Sequence, residues 1–418
     1  MSTMVDHPSK GTGRELWLFT IRFPFGNGEA FLESELPILA RGFDRVKLFP
    51  LMPEGAIRAL PKNVDVIQLL SDDAYEAVGP LQVLTDLRRW NHVMRVCKAS
   101  APSAEAWSTR RRNLMSRVRQ AMYRERKFTA RFAHLYDPRR VVLYSYWTSD
   151  WATVLGLWKL AAPEVRFITR MMGFDMFDHR AQFNWQMLQA FHVQQVEHVL
   201  TIAKAGQEHM CARYPEAKEK FHLSHLATMD HGIGPWAPSV TLRIASCSNM
   251  VPLKRVHLII EALALLRMPV KWTHFGDGEE RERLEPIVRA LPPIIEVELM
   301  GSRPNAEVIH WYKHNAVDAF VHTSETEGGA PVALQEAASF GIPLIAADAG
   351  GVNEIVNPST GILLPNALTA EELAACLRGF REMGWCHPDV RVGVRAFWSA
   401  HFNAEIVHGR LLENLLNS

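Results

Sequence analysis

The feature that most limits what this chain can fold into is an alternation that runs along it twice. Short apolar runs at 15–21 (ELWLFTI), 46–49 (VKLF), 64–69 (VDVIQL), 141–146 (VVLYSY), 165–168 and 199–202 are separated largely by stretches with helical spacing of apolar residues. After the Gly- and Pro-rich stretch HGIGPWAPSVT at 231–241 the pattern restarts, with runs at 242–247 (LRIASC), 270–274 (VKWTH), 296–299 (EVEL), 318–322 (DAFVH) and 343–346 (PLIA). Parallel strands need a crossover connection, usually a helix, so strand-like runs alternating with helical ones predict a parallel sheet covered on both faces. Two such series predict two doubly wound units, each with its ligand sites at the carboxyl ends of its strands. The length agrees, since 418 residues exceed what one hydrophobic core usually serves.

The carboxyl end of the strand DAFVH leads into TSETEGGAPVALQEA at 323–337, where Glu327 and Glu336 bracket a glycine-rich turn. Pro331 is expected at the first helical position, where its missing N–H costs nothing, and Gly341 at the helix end. Unpaired N–H groups there, with the backbone of Gly328 and Gly329, suit phosphate oxygens, and Glu336 suits the vicinal hydroxyls of a ribose. Both glutamates also read as solvated surface charges, and the residues alone leave that open. Lys254 follows LRIASC and precedes an apolar helix, so a cation sits at the positive end of a helix dipole, which is unfavourable unless an anion joins it. HFGDGEE at 274–280 carries Gly276 and Gly278, and Gly350-Gly351 follows IPLIAAD. Four strand-end loops therefore bear glycines or a cation, as a nucleoside diphosphate pocket requires.

Composition excludes several alternatives. With 48% hydrophobic and 22% charged residues the chain reads as globular. The five cysteines are scattered without a C-x2-C pair, which argues against a disulfide framework or a zinc site and for a reducing, cytoplasmic setting. Residues 1–13 lack an apolar leader region, and no apolar run approaches the length of a membrane span. The net charge of +1 hides a segment at 101–140 with eleven Lys or Arg against three Asp or Glu. Within it Leu114, Val118, Met122, Phe128, Phe132 and Leu135 recur at roughly helical intervals. The segment 110–136 reads either as a basic amphipathic helix on an anionic membrane surface or as a core-packed helix with a solvated basic face. No nucleic-acid motif accompanies it.

Taken in order, K-R-V, G-D-G, V-D-A-F-V, S-x-x-E-G, P-V-A-L-Q-E-A and G-I-P-x-I-A-x-D-x-G-G-V-x-E-I-V within 246–364 resemble the C-terminal half of retaining glycosyltransferases of family 4. FPFGNGEAFLESE, LYSYW and R-x-x-G-F-D in the first half are similar to bacterial members that build exopolysaccharide or lipopolysaccharide, the colanic-acid type included. The resemblance implies an α/β GT-B fold of two Rossmann-like, doubly wound domains facing a cleft. It implies an acceptor-binding domain at 1–235, a nucleotide-sugar-binding domain at 236–392 and a helical tail at 393–418 packing back on the first. It further implies metal-independent transfer from a nucleotide sugar to a glycan or lipid-linked glycan, with no cofactor, in the cytoplasm or peripherally at the inner membrane face.

By the same resemblance Lys254 binds the donor diphosphate, Glu327 the donor sugar and Glu336 the ribose. Gly26 and Gly28, followed by Glu29 and Glu33, form the N-terminal glycine turn, and Gly173 and Asp175 match a Gly-x-Asp motif beside the reaction centre. Lys254, Glu327 and Asp175 are expected to be catalytic. Gly26, Gly28, Lys254, Arg255, Gly276, Gly301, Glu327, Gly328, Gly329, Ala330, Pro331 and Glu336 are expected to bind the donor. Three positions depart from the family. The glutamates are nine apart instead of eight, which glycine dihedrals at 328–329 are expected to absorb. Asn249 stands where an arginine is usual, with Arg255 as a substitute. Met172 replaces a histidine and cannot hydrogen-bond a hydroxyl as an imidazole does. These departures leave two rival readings, a non-catalytic nucleotide-sugar-binding partner and a sugar-nucleotide epimerase.

Overall fold

The computed structural model describes residues 13–26, 28–70, 73 and 75–417. Residues 1–12 of the segment considered as a leader, and Asn27 of FPFGNG, lie outside the described residues. Among the described residues no helix is long and apolar enough to cross a membrane. The chain forms two units. The first comprises the described residues up to 202, then 206–224 and those from 408 onward; the second comprises 203–205 and 225–407. The Gly- and Pro-rich stretch at 231–241 thus belongs to the second unit, and the passage between units falls at Ser224 and His225.

The first unit holds seven strands: β1 (Glu15–Thr20), β2 (Arg45–Pro50), β3 (Val64–Val66), β4 (Val141–Ser145), β5 (Phe167–Met171), β6 (His198–Thr201) and β7 (Phe221–Leu223). They lie in the order β3-β2-β1-β4-β5-β6-β7, all pairs parallel. The second holds β8 (Leu242–Cys247), β9 (Val270–Phe275), β10 (Ile295–Gly301), β11 (Ala319–His322), β12 (Leu344–Ala347) and β13 (Gly361–Leu364), in the order β10-β9-β8-β11-β12-β13, again all parallel. Each sheet grows outward in both directions from its first strand, so each has a switch point, between β1 and β4 and between β8 and β11. The crevice for a ligand opens there, because the crossovers on either side leave to opposite faces.

Strands β7 and β13 were not expected, and β5 begins two residues later than its apolar run. For β7 and β5 the reason is local. β7 is three residues long and exposes His222 and Leu223, so it carries no burial pattern. β5 includes Arg170, a charge that argues against a buried strand until its partner is known. That partner is Glu35. Arg170 Nη2 donates to Glu35 Oε2 at 2.9 Å, and both side chains are fully buried. Tyr144 donates to Glu35 Oε1 at 3.0 Å and accepts from Arg170 Nε at 2.9 Å, while Arg170 Nη1 donates to the Ser224 carbonyl. Burial alone would depress the Arg170 guanidinium, but the Glu35 carboxylate outweighs it and holds its pKa raised.

The basic segment forms a helix, Ala104–Phe132, started by the Ser103 side chain, which accepts from the Ala106 N–H at 3.0 Å. Its residues Leu114, Val118, Met122, Phe128 and Phe132 are buried in the first unit's core. Phe128 packs against Trp17, Phe19, Phe49 and Trp151 with ring centroids 5.4 to 6.0 Å apart. These five residues are therefore core, as the core-packed reading has it, while Leu135, past the helix end, is exposed. The arginine face stays outward, with Arg110 stacked over the Phe183 ring at 3.7 Å. The tail expected at 393–418 divides in the structure. The helix Pro388–Phe402 belongs to the second unit, with Trp398 buried there, whereas the last helix, Ala404–Asn417, gives its residues from His408 onward to the first.

Candidate functional site

The second unit builds its strand-end loops by pressing backbone against backbone, which only glycine allows. Gly276, directly after β9, has φ +140° and donates its N–H to the Gly301 carbonyl at 3.0 Å. A Cβ on Gly276 would overlap the Ser248 carbonyl, and one on Gly278 would overlap that of Met250. Across the switch point Gly350, φ +56°, has no room for a Cβ against the Glu327 carbonyl, nor has Gly351 against Gly329. Gly301 itself takes φ +69°. The loops after β8, β9 and β10 are thus fitted together, as are those after β11 and β12.

Onto this frame the structure places a charged node. Lys254 Nζ donates to Glu327 Oε1 at 2.5 Å, and His322 Nε2, at the end of β11, lies 2.9 Å from the same oxygen. Burial pushes the Glu327 carboxyl up, but His322 and the Lys254 ammonium together bring it down to about 2. Lys254 and Glu327, 73 residues apart, therefore share one site. The N–H groups of Gly328, Gly329 and Ala330 follow without a partner among the described residues, so donors stand beside the node. The helix after them is Val332–Ser339, with Pro331 as its N-cap at ψ 133°, one residue outside the first helical position expected for it. Gly341, φ +72°, ends it, donating to Ala338 while Ile342 donates to Ala337, the paired bonds of a Schellman cap. Neither Gly328 nor Gly329 takes a positive φ. The longer spacing between the glutamates is absorbed without a left-handed residue there, and it is Gly351 that must be glycine, because its Cβ would overlap the Gly329 backbone.

Glu336 lies on the inner side of that helix, 8% exposed, and Oε1 accepts from Asn305 Nδ2 at 2.6 Å. Burial raises its pKa to about 7 despite that bond. Asn305 begins the helix Asn305–His314, which with Phe275 and Met300 borders a cavity of about 510 Å³ also lined by Arg303, His310 and Trp311. Arg255 does not stand in for the missing arginine. At φ +47° it turns its guanidinium onto the carbonyls of Thr323, Ser324 and Asn366, at 2.7, 3.1 and 2.8 Å, where it ties loops together. Asn249 is exposed.

In the first unit, the glycine turn is organised by carboxylates. Glu29 accepts from the N–H groups of Ile21, Arg22 and Phe23 and from Trp147 Nε1, at 2.6 to 2.9 Å. Arg58 donates to the carbonyls of Gly26 and Gly28 and to Glu33, so those carbonyls are held by a side chain of the same unit. Gly26 needs its glycine, at φ +59°. Asp175, buried, accepts from Met172 N–H at 2.6 Å and Thr148 N–H at 3.0 Å, one on each oxygen. Desolvation raises it to about 7, against the pull of those two amides. Its carboxylate thus shapes the turn at Met172 and Gly173. The motifs FLESE, LYSYW and R-x-x-G-F-D meet through Glu35, Tyr144, Trp147 and Arg170. Sequence reasoning singled out neither these as partners nor His322, Asn305 and Arg58. His322, the last residue of a buried strand, is the one a strand-end rule could have flagged.

Residues 239–383 match the family described as "Glycosyl transferases group 1". The second unit carries a glycosyl transferases group 1 domain. This domain holds Lys254, Glu327, Glu336 and the glycine-fitted loops. Curated relatives include the GDP-mannose-dependent alpha-mannosyltransferase of Mycobacterium tuberculosis, 32% identical over 133 residues, 31% of this chain and 32% of that protein. The amylovoran biosynthesis glycosyltransferase AmsK of Erwinia amylovora is 26% identical over 181 residues, 42% of this chain and 44% of its own. The putative colanic acid biosynthesis glycosyltransferase WcaL of Escherichia coli is 29% identical over 154 residues, 35% and 38%. The chain thus aligns with less than half the length of each of these relatives. Among solved structures, Anabaena Alr3699/HepE in complex with UDP has a TM-score of 0.63 at 17% identity, covering 97% of this chain and all of that one. The fold around the group 1 domain is accordingly of the GT-B type, with two Rossmann-like units of seven and six parallel strands.

Proposed function

We propose that this chain is a retaining glycosyltransferase that moves a hexose-type sugar from a nucleoside diphosphate to a growing, lipid-linked glycan in bacterial cell-surface or exopolysaccharide biosynthesis. The observation that carries this reading is the convergence of Lys254, Glu327 and the unpaired N–H groups of Gly328–Ala330 at the glycine-fitted strand ends. As the bond between sugar and diphosphate breaks, negative charge grows on the diphosphate. A fixed ammonium and preoriented amides stabilise that charge without reorganising, the task a divalent metal performs elsewhere. This supports metal-independent chemistry. Glu327, kept ionised by its neighbours, accepts hydroxyls of the donor sugar, and Glu336 accepts those of the ribose. The cavity lined by Phe275 and by Trp311 of the helix that begins with Asn305 has an aromatic lining that suits a base.

The outward basic face of 110–136 supports electrostatic, peripheral contact with an anionic membrane on the cytoplasmic side, where a lipid-linked acceptor would lie. The test is to incubate the protein with UDP- and GDP-sugars, with and without bacterial lipid extract, following nucleotide release and glycolipid mass. Acceptor-dependent release with a matching mass gain is expected. Conversion of the donor without acceptor would make the protein an epimerase. Binding without turnover in every mixture would make it a non-catalytic partner, as Met172 and Asn249 would allow.

A further inference from the structure

The carboxylate of Glu327 is held by one oxygen only. Lys254 Nζ and His322 Nε2 meet Oε1 at 2.5 and 2.9 Å, whereas Oε2 has no hydrogen-bond partner among the described residues. That second oxygen is not sealed off, since the Glu327 side chain is 13% exposed and Oε2 touches solvent. One oxygen is thus anchored from two sides, and the other is open to a ligand.

The two anchors differ in how firmly they stand. His322 is the last residue of β11, every residue of which is buried, and it pairs with Ala346 of β12. Just beyond it, Thr323 Oγ1 donates to the carbonyls of Lys254 and Arg255, Arg255 Nε donates to the Thr323 carbonyl, and the Glu325 N–H donates to the Leu253 carbonyl. The strand end and the loop after β8 are therefore tied together on both sides of the node. Within that frame the imidazole has only its own short side chain to move, and it is buried. Lys254 reaches the same oxygen along a flexible four-carbon stem that is partly exposed.

Their chemistry gives the two anchors different duties. An ionised carboxylate only accepts, so His322 Nε2 carries a proton, and it can do so both in the neutral ring and in the imidazolium. The contact with Glu327 therefore outlasts titration of the ring. Burial opposes the Glu327 charge, and His322 offsets that more than Lys254 does. The ammonium is also the group a diphosphate would draw, because its phosphates compete with the carboxylate for the same N–H donors. Whatever share of Lys254 goes to phosphate, Oε1 keeps the imidazole.

We propose that His322 is a positioning residue for the donor sugar: it fixes Glu327 through Oε1 so that Oε2 accepts a sugar hydroxyl, and so sets how much more tightly the protein binds a nucleotide sugar than the bare nucleoside diphosphate. This rests on the glycosyl-transfer reading and adds to it the residue that aims Glu327. A carboxylate left to the lysine alone would follow the ammonium toward the diphosphate or turn to water, and the sugar contact would be lost while the nucleotide still bound.

Calorimetry of the full chain gives the affinity for UDP-glucose, UDP-galactose and GDP-mannose, each as a ratio to UDP or GDP, which cancels any general effect on the nucleotide site. His322→Leu, of similar bulk but with no donor, should lower the ratio for the preferred sugar by about threefold or more. His322→Gln, whose amide reaches the Nε2 position, should restore most of it, and His322→Asn, whose amide stops at the Nδ1 position, should not. In a Glu327→Gln background His322→Leu should change the ratio no further, as expected of two residues acting through one contact. An unchanged ratio in His322→Leu, or Gln and Asn variants that behave alike, overturns the proposal. Should His322→Leu fail to fold, the comparison of Gln with Asn decides by itself. A wild type that binds no nucleotide sugar refutes the glycosyl-transfer reading, whereas one that binds them with a ratio indifferent to His322→Leu sinks this proposal alone.

Discussion

At Glu336 the environment and the proposed ligand oppose each other in a measurable way. Burial lifts the carboxyl to about 7, while ribose hydroxyls that donate to it need the carboxylate. Nucleotide affinity should therefore rise with pH through about 7 and level off above, by up to about tenfold between pH 6 and 8 if only the ionised form binds. Calorimetry of wild type against Glu336→Gln separates this from the nucleotide's own ionisation, and identical profiles in the two would exclude the ribose contact. Glu336→Ala should weaken binding several-fold. At Lys254, replacement by Ala removes the one ammonium in the node, and a loss of about 10²–10³ in kcat is expected, with unfolding little changed. Wild-type turnover in that variant would remove its catalytic role. Both residues were singled out in the sequence because Lys254 sits at a strand-to-helix handover and Glu336 lies just inside the helix that follows another. Asn305 was not, since its partner 31 residues away depends on how the chain packs and not on spacing, whereas His322, five residues before Glu327, stood at a strand end that could have flagged it.

Among the elements, the helix Ala104–Phe132 shows how one pattern admits two solvents. Its period says only that one face is apolar, and lipid or a protein core would satisfy it equally. The structure supplies aromatic partners for Phe128 on β1 and β2, so Phe128→Ala should cost about 3–5 kcal/mol of stability in denaturant titration. A loss under 1 kcal/mol would mean the face is not core. What remains outward is charge. Replacing Arg110, Arg111 and Arg112 by Gln should reduce sedimentation with anionic liposomes, and salt should abolish sedimentation of the wild type, because no apolar face is left to insert. Strand β5 carries the complementary lesson. Arg170 sits in a buried strand only because Glu35, on the helix Leu32–Ala40, meets it there. Arg170→Met leaves Glu35 buried without its partner and should destabilise the first unit by about 3–5 kcal/mol; thermal unfolding of an unchanged protein would contradict this.

Over the whole molecule, two doubly wound units and most of the residues at their strand ends can be read from the order of amino acids alone. Both follow from local physics: a strand's length and apolarity, a helix's period, and the backbone freedom of glycine are properties of neighbouring residues. The tertiary structure decided the pairings. It joined Lys254 to Glu327, turned Arg255 onto carbonyls, gave both oxygens of Asp175 to backbone amides, and brought His408 within 3.7 Å of Glu35 inside the first unit. It also decided the protonation of Glu336 and Asp175, since desolvation is set by what the rest of the chain packs around a group. Interactions between residues far apart in sequence depend on the order of strands in a sheet. No local pattern encodes that order, so the chemistry of the site became readable only once the sheets were assembled.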